Sequence, residues 1–235
     1  MPRPIRARLA IAMTPCQSAG SMDLPSRPLL IAVDGPAASG KGTIARALAA
    51  YYGLPHMDTG MLYRAVALTL VRFGGDFDSE FEAVRAVAGL GQIDLTDPEL
   101  RSEIVGSVAS RISAYPAVRA ALVERQQAFA RQPGGAVLDG RDVGTVIAPQ
   151  ADAKLFVTAS IEVRAQRRLA ELEGRGVRVH FDEIVADLTA RDERDSHRTD
   201  APLAQAEDAL LLDTSTMDAD AAVKRAIALV DQRIG

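Results

Sequence analysis

From Leu29 onward, short apolar runs alternate with longer stretches whose apolar residues return every three or four positions. The runs LLIAVD (29–34), LPHMD (54–58), AVLDG (136–140), AKLFVTA (153–159) and ALLLDT (209–214) predict five strands. Between them Ile44, Leu48 and Tyr52 share one helical face, as do Leu62, Val66, Leu70 and Phe73, and each series ends at a glycine, Gly53 or Gly74. A last helix carries Val223, Ile227, Val230 and Ile234. Such alternation predicts an α/β fold, a parallel sheet with helices on both faces.

Two stretches break the alternation. Residues 75–133 are mostly helical in pattern, with Pro98 and Pro116 placed as early helix residues, and read as a helical insertion. Residues 171–183, ELEGRGVRVHFDE, put two glycines and two arginines between two helices, the composition expected of a small lid. Residues 1–27 follow neither period and read as a disordered tail, leaving 28–235 as one domain.

The first strand runs into GPAASGKGT, residues 35–43. Small residues there let consecutive backbone amides point at phosphates, and the following helix adds its positive N-terminus. Gly35, Gly40 and Lys41 fit the pattern G-x-x-x-x-G-K-[ST]; Gly42 takes the place of the hydroxyl residue, which moves to Thr43. The whole loop, Gly35, Pro36, Ala37, Ala38, Ser39, Gly40, Lys41, Gly42 and Thr43, is the candidate nucleotide cradle. Asp139, ending a separate strand, is either a carboxylate beside a metal ion or a turn cap; with Thr43 it is the candidate neighbour of Mg2+.

GKGT resembles the loop of the nucleoside monophosphate kinases, and four more stretches, MDTGMLYRAVAL (57–68), ASRISAYPAVR (109–119), LDGRDVGTV (138–146) and RDERDSHR (191–198), are similar to the bacterial cytidylate kinase family. The resemblance implies a three-layer P-loop kinase fold with an insertion that binds the nucleoside monophosphate, and ATP-dependent phosphorylation of CMP and dCMP with Mg2+. It implies that Arg64, Arg141 and Arg198 grip the acceptor phosphate beside Thr59 and Tyr63. It further implies that Arg191 and Asp195 hold the sugar, and that Ser110, Arg119 and Asp142 contact cytosine. If the helix from Asp182 continues, Arg191, Asp195 and Arg198 share one face. Many bacterial members carry a longer insertion with antiparallel strands, whereas here only GQIDLTDPELRSEIVGS is available, so the insertion reads as abbreviated and helical.

For the transfer itself, Lys41, Arg141 and Arg168 are the candidate catalytic cations. Arg164 and Arg167 are alternatives on the helix leading into the lid, with Arg175 and Arg178 behind them. From the residues alone, another acceptor such as AMP, UMP or shikimate stays open, as does a module that binds nucleotide without transferring phosphate.

Composition narrows the setting. A net charge of -4 gives no general attraction for nucleic acid, so any anion site must be local. Lysine occurs only at Lys41, Lys154 and Lys224, which leaves arginine, the better bidentate phosphate ligand, as nearly all the positive charge. The single cysteine, Cys16, excludes an internal disulfide and a cysteine metal cluster, and His56, His180 and His197 are too scattered for a metal site. With no run of membrane-spanning length and no block of apolar surface evident, the expectation is a cytoplasmic monomer without membrane partners.

Overall fold

The computed structural model describes residues 28–235; the tail expected at 1–27, with Cys16, lies outside the described residues. Its element order is β1 (Leu29–Asp34), α1 (Lys41–Tyr52), β2 (His56–Asp58), α2 (Thr59–Phe73), α3 (Glu80–Val87), α4 (Glu103–Ile112), α5 (Pro116–Ala130) and β3 (Gly135–Gly140). There follow β4 (Ala153–Thr158), α6 (Ile161–Glu173), α7 (Phe181–His197), β5 (Leu210–Asp213) and α8 (Ala219–Ile234). The strands form one parallel sheet in the order β2-β3-β1-β4-β5.

Alternation within the strands explains the layers. Leu29, Ile31 and Val33 of β1 join Val137, Leu155 and Leu212 on one face, under Ile44, Leu48 and Tyr52 of α1 and Ala226 and Val230 of α8. Leu30 and Ala32 point the other way, to Ala136, Leu138, Ala130 of α5 and the π-helical turn Val143–Ile147. Every residue of β1 and β3 is buried, as strands covered on both sides require. Both Gly53 and Gly74 end their helices in the left-handed region, at φ 66° and φ 65°. Phe73, expected on the packed stripe of α2, is instead exposed, because it is the last helical residue and the covering elements stop short of it.

Helices α2 to α5 build a second core, from Leu62, Val66, Leu68, Leu100, Val105, Ile112 and Leu122. No strand occurs between β2 and β3, so this block is helical throughout. A smaller core joins α6 and α7 to the loop after β1, through Ala37, Ala165, Leu172, Ile184 and Leu188. The non-helical link between α6 and α7 is only residues 174–180; Glu171–Glu173 continue α6, and Phe181 already opens α7.

The chain leaves β1 toward β2 on one side and leaves β3 toward β4 on the other, which makes the β1/β3 boundary the switch point of the sheet. Val33 pairs with Asp139 and Asp34 with Gly140, so the loops after β1 and β3 emerge level with each other into that crevice. Gly35 begins the first loop at φ 151°, and a Cβ there would stand 2.0 Å from the carbonyl oxygen of Val157 in β4. Gly35→Ala should therefore lose more than about 4 kcal/mol of stability or fail to fold, since the obstacle is buried backbone. Urea unfolding within about 1 kcal/mol of the native protein would contradict this packing.

Candidate active site

The loop after β1 turns through Ala38 at φ 58° and Gly40 at φ 90° before α1 begins. No side chain caps α1, and the Thr43 and Ile44 amides both turn back to the Gly40 carbonyl at 3.1 Å. Ala37, Ala38, Lys41 and Gly42 line a cavity of about 580 Å³, and Ala38, Ser39, Gly40 and Thr43 line a second of about 410 Å³. Gly35 and Pro36 lie buried beneath. The Lys41 ammonium folds back on its own loop, donating to the Pro36 carbonyl at 3.3 Å.

Lys41 sits among opposed charges. Burial and then the neighbouring Arg141 guanidinium push its ammonium down to about 7, while Asp139 and Asp58 pull the other way. Asp58, ending β2, is itself driven up by burial and then by the Asp139 carboxylate. Asp139 is held by His56 Nε2 at 2.7 Å. Arg141 follows β3 and donates through Nε to Asp195 of α7 at 2.7 Å. Burial works against its charge, but Asp195, Asp58 and Asp139 outweigh burial and hold the guanidinium above its usual value. Arg191, one turn before Asp195, is pushed down to about 10 by burial and by Arg141, and its buried Nε has no hydrogen-bond partner. Arg64 completes this end, donating to the Leu100 carbonyl at 2.7 Å. Adjacent half-buried cations with an unmet donor suit an anion.

The other end of the cavity is a network around Asp142. Arg119, 2% exposed on α5, donates through Nη2 to Asp142, through Nη1 to the Tyr63 hydroxyl at 3.3 Å, and through Nε to Asp200 at 3.2 Å. Arg198 approaches the second Asp142 oxygen at 3.5 Å. Ser110 is buried on α4, and its hydroxyl accepts from Arg194 Nε at 3.3 Å. Thr59 donates to the Asp139 carbonyl at 2.8 Å, so close beneath β3 that Gly140 leaves no room for a Cβ. The loop carrying Arg141 and Asp142 is pinned from below by Asp34, whose two carboxylate oxygens accept from the amides of Val143 at 2.8 Å and Gly144 at 2.7 Å. Burial pushes the Asp34 carboxyl up to about 6 in spite of those bonds.

The profile of the cytidylate kinase family matches residues 31–232. The chain belongs to the cytidylate kinase family. A cytidylate kinase from Xanthobacter autotrophicus is 57% identical over 205 residues, covering 87% of this chain and 98% of that one. A second, from Methylocella silvestris, is 53% identical over 203 residues, or 86% and 94% of the two chains. Among solved structures, an uncharacterized protein from Eubacterium ventriosum aligns over 88% of this chain and all of its own with a TM-score of 0.54 and 15% identity, a likeness of fold alone.

Within that family frame, the arginines of α6 separate into different tasks. Arg164 is locked away from both cavities: it donates to the carbonyls of Ala159 and Ala37 and grips Asp192 of α7 with both terminal nitrogens, at 3.1 and 2.6 Å. Arg167 ties the loop to the C-terminal side of the sheet, donating to the Ser39 and Met217 carbonyls and to the Thr214 hydroxyl and carbonyl. Arg168 lines both cavities and pairs with Glu171 and Glu103. Arg175 bonds Glu171 and the Arg101 carbonyl, away from the loop.

One expectation needs correction. Arg198 does not continue the α7 face, because the helix ends at His197 and Arg198 turns extended at ψ 139°; it reaches the site from the cap instead. Thr43 and Asp139, the candidate neighbours of Mg2+, line different cavities. One residue further along α1 rotates the hydroxyl by about 100°, so Thr43 is exposed on the second cavity, while Gly42 faces the Asp139 carboxylate.

Sequence reasoning passed over Asp34, His56, Asp58, Arg194 and Asp200. Asp34 and Asp58 both end strands, where ligands gather in open α/β sheets, so their positions did carry a signal. Arg194 lies within the RDERDSHR stretch and Asp200 two residues after it, but nothing in their spacing marked either. Arg164→Ala should cost about 2–3 kcal/mol, lowering the melting temperature by about 5–10 °C, because it strands Asp192 and two carbonyls. An unchanged melting curve would reduce the Arg164–Asp192 pair to a surface ornament.

Proposed function

We propose that this enzyme transfers the γ-phosphoryl group of ATP to CMP and dCMP, with donor and acceptor meeting where the loops after β1 and β3 converge. Membership of the family establishes a nucleoside monophosphate kinase that uses ATP. The observation that carries the acceptor reading is the buried Arg119–Asp142 pair at the far end of the cationic cavity. Cytosine presents an amino donor at C4 beside acceptors at N3 and O2, which complements a carboxylate next to a guanidinium. Uracil reverses the first two, so its O4 would meet a carboxylate and leave both unpaired.

The attacking group is an oxygen of the acceptor phosphate, whose second ionisation near pH ~6 makes a general base unnecessary. That oxygen bonds the γ-phosphorus as the bond to the β,γ-bridging oxygen breaks, and ADP keeps the electron pair. Arg64, Arg141 and Arg198 hold the acceptor phosphate, Arg191 and Asp195 the sugar, and Ser110 the base edge beside Asp142. Residues 35–43 cradle the donor phosphates, with Lys41 and Arg168 facing the transferred group. Mg2+ bound to the donor would neutralise charge building on the β and γ phosphates. Asp139 and Asp58 fit that ion as partners of its water shell, since among the described residues no cluster of three or more ligands could hold a metal by itself. Arg168 reaches from α6 to Glu103 of α4 across the lining of the first cavity, a contact that would help to exclude water.

We further propose a cytoplasmic monomer. The exposed large apolar residues, such as Tyr51, Phe73, Phe81 and Leu211, sit on separate elements, and among the described residues no helix is long and apolar enough to cross a membrane.

Transfer from Mg-ATP to CMP, dCMP, UMP and AMP at matched concentration tests the reading. The expected result is fast turnover of CMP and dCMP with kcat/KM for UMP at least 100-fold lower; a preference for AMP or UMP would refute it. A second expectation concerns Lys41. Its ammonium lies near pH 7 in the free site, so at pH 8 it is mostly neutral and must charge when it meets phosphate. Nucleotide binding at pH 8 should then take up close to one proton, and none in Lys41→Met, as read by calorimetry in buffers of different ionisation enthalpy. Equal uptake by both proteins would remove Lys41 as the source.

A further inference from the structure

Asp142 is flanked by Arg119 and Arg198, and both guanidinium groups are steered by the same short turn after α7. Arg119 spends its Nε on the Asp200 carboxylate at 3.2 Å. Arg198 spends its Nε on the Ala201 carbonyl at 2.6 Å. The turn is folded back on the helix by the Leu203 amide, which donates to the Asp195 carbonyl at 2.7 Å. Its Ala201 stands at φ 48°, a left-handed conformation that a residue with a side chain seldom adopts. Surrounding bonds must hold it there, and these three do so.

The consequence reaches Asp142. With Nε fixed on each arginine, the planar fork leaves the terminal nitrogens in set directions. Nη2 of Arg119 then meets one Asp142 oxygen, and Nη2 of Arg198 faces the other at 3.5 Å. Arg198 Nη2 makes no hydrogen bond although it is buried, so its charge is committed to Asp142 while a donor remains free. Asp200 does not line the cavity, and its side chain is 51% exposed. It acts on an acceptor only through Arg119.

We propose that Asp200 is a positioning residue for acceptor-base selection: the turn at 199–201 aligns Arg119 and Arg198 on the two oxygens of Asp142 and so sets the carboxylate that cytosine must meet. The inference rests on the reading of Asp142 and Arg119 as the base contacts. A bland surface ion pair in the same place would contribute about 0–1 kcal/mol to stability and nothing to selection.

Kinetics with CMP and UMP on the full chain separate the two. Asp200→Ala should raise KM for CMP about tenfold, leave kcat within about twofold and leave kcat/KM for UMP unchanged, so the CMP-to-UMP preference falls about tenfold. Asp200→Asn, whose amide oxygen still accepts from Nε, should recover most of that preference. Melting temperatures of both variants within about 2 °C of the native protein would exclude general loosening. The inference is overturned if Asp200→Ala keeps the native preference while Asp142→Asn abolishes it, since the base site then stands without the turn. If Asp142→Asn also keeps the preference, the base-site reading fails and this inference falls with it.

Discussion

Lys41, Arg141 and Arg191 sit half-buried and close enough to oppose one another's charge, and that repulsion is the constraint on which the rest of the structure depends. A buried cation is tolerable only with a partner, and three together need either matched carboxylates or a bound anion. The protein supplies the first in part. Asp195 neutralises Arg141 directly, and Asp58 and Asp139 do so from the strand ends. The compensation stops short at Arg191, whose Nε is left without a partner. What remains is an electrostatic demand that a phosphate dianion satisfies better than water, and in the proposed reading this unfinished neutralisation is what draws the substrate.

Meeting this constraint dictates which parts of the chain must come together. Arg141 leaves β3, Lys41 opens α1 after β1, and Arg191 and Asp195 ride on α7, far along the sequence. Parallel pairing brings the first two level at the switch point of the sheet. The third is delivered by packing, through Ile184 and Leu188 against Ala37 of the loop, and by Arg164, which bonds that same Ala37 carbonyl and Asp192 of α7. The apolar contact and the ion pair place α7 on the phosphate loop in one register. The donor loop and the acceptor helix are therefore a single mechanical unit around the transferred group.

How far this was visible beforehand depends on the range of the interaction. The strands, the glycine-ended helices and the phosphate loop are local patterns, and the sheet bears them out because β1 and β3 are buried throughout. The insertion's helices were likewise legible from their spacing. Partnerships were not. Nothing in the spacing of Arg164, Arg167 and Arg168 says that the first is buried on Asp192, the second on the loop after β5, and the third on the cavity mouth. Arg198 was misplaced on a helix face for the same reason: the end of α7 is settled by the bond of Leu203 back to Asp195, a contact the helical period does not encode.

The scarcity of lysine acquires a physical reason in this setting. At comparable burial and beside the same Arg141, the Lys41 ammonium falls to about 7, whereas the Arg191 guanidinium falls only to about 10. A cleft furnished with lysines would lose much of its charge at neutral pH before any substrate arrived. Arginine starts high enough, and spreads its charge widely enough, to stay cationic through the same desolvation. The one lysine that the cleft retains is at the phosphate loop, where the arriving nucleotide brings enough negative charge to restore its proton. In the proposed reading, arginine would thus keep the acceptor end positive throughout, while the donor end would gain its full charge with the nucleotide.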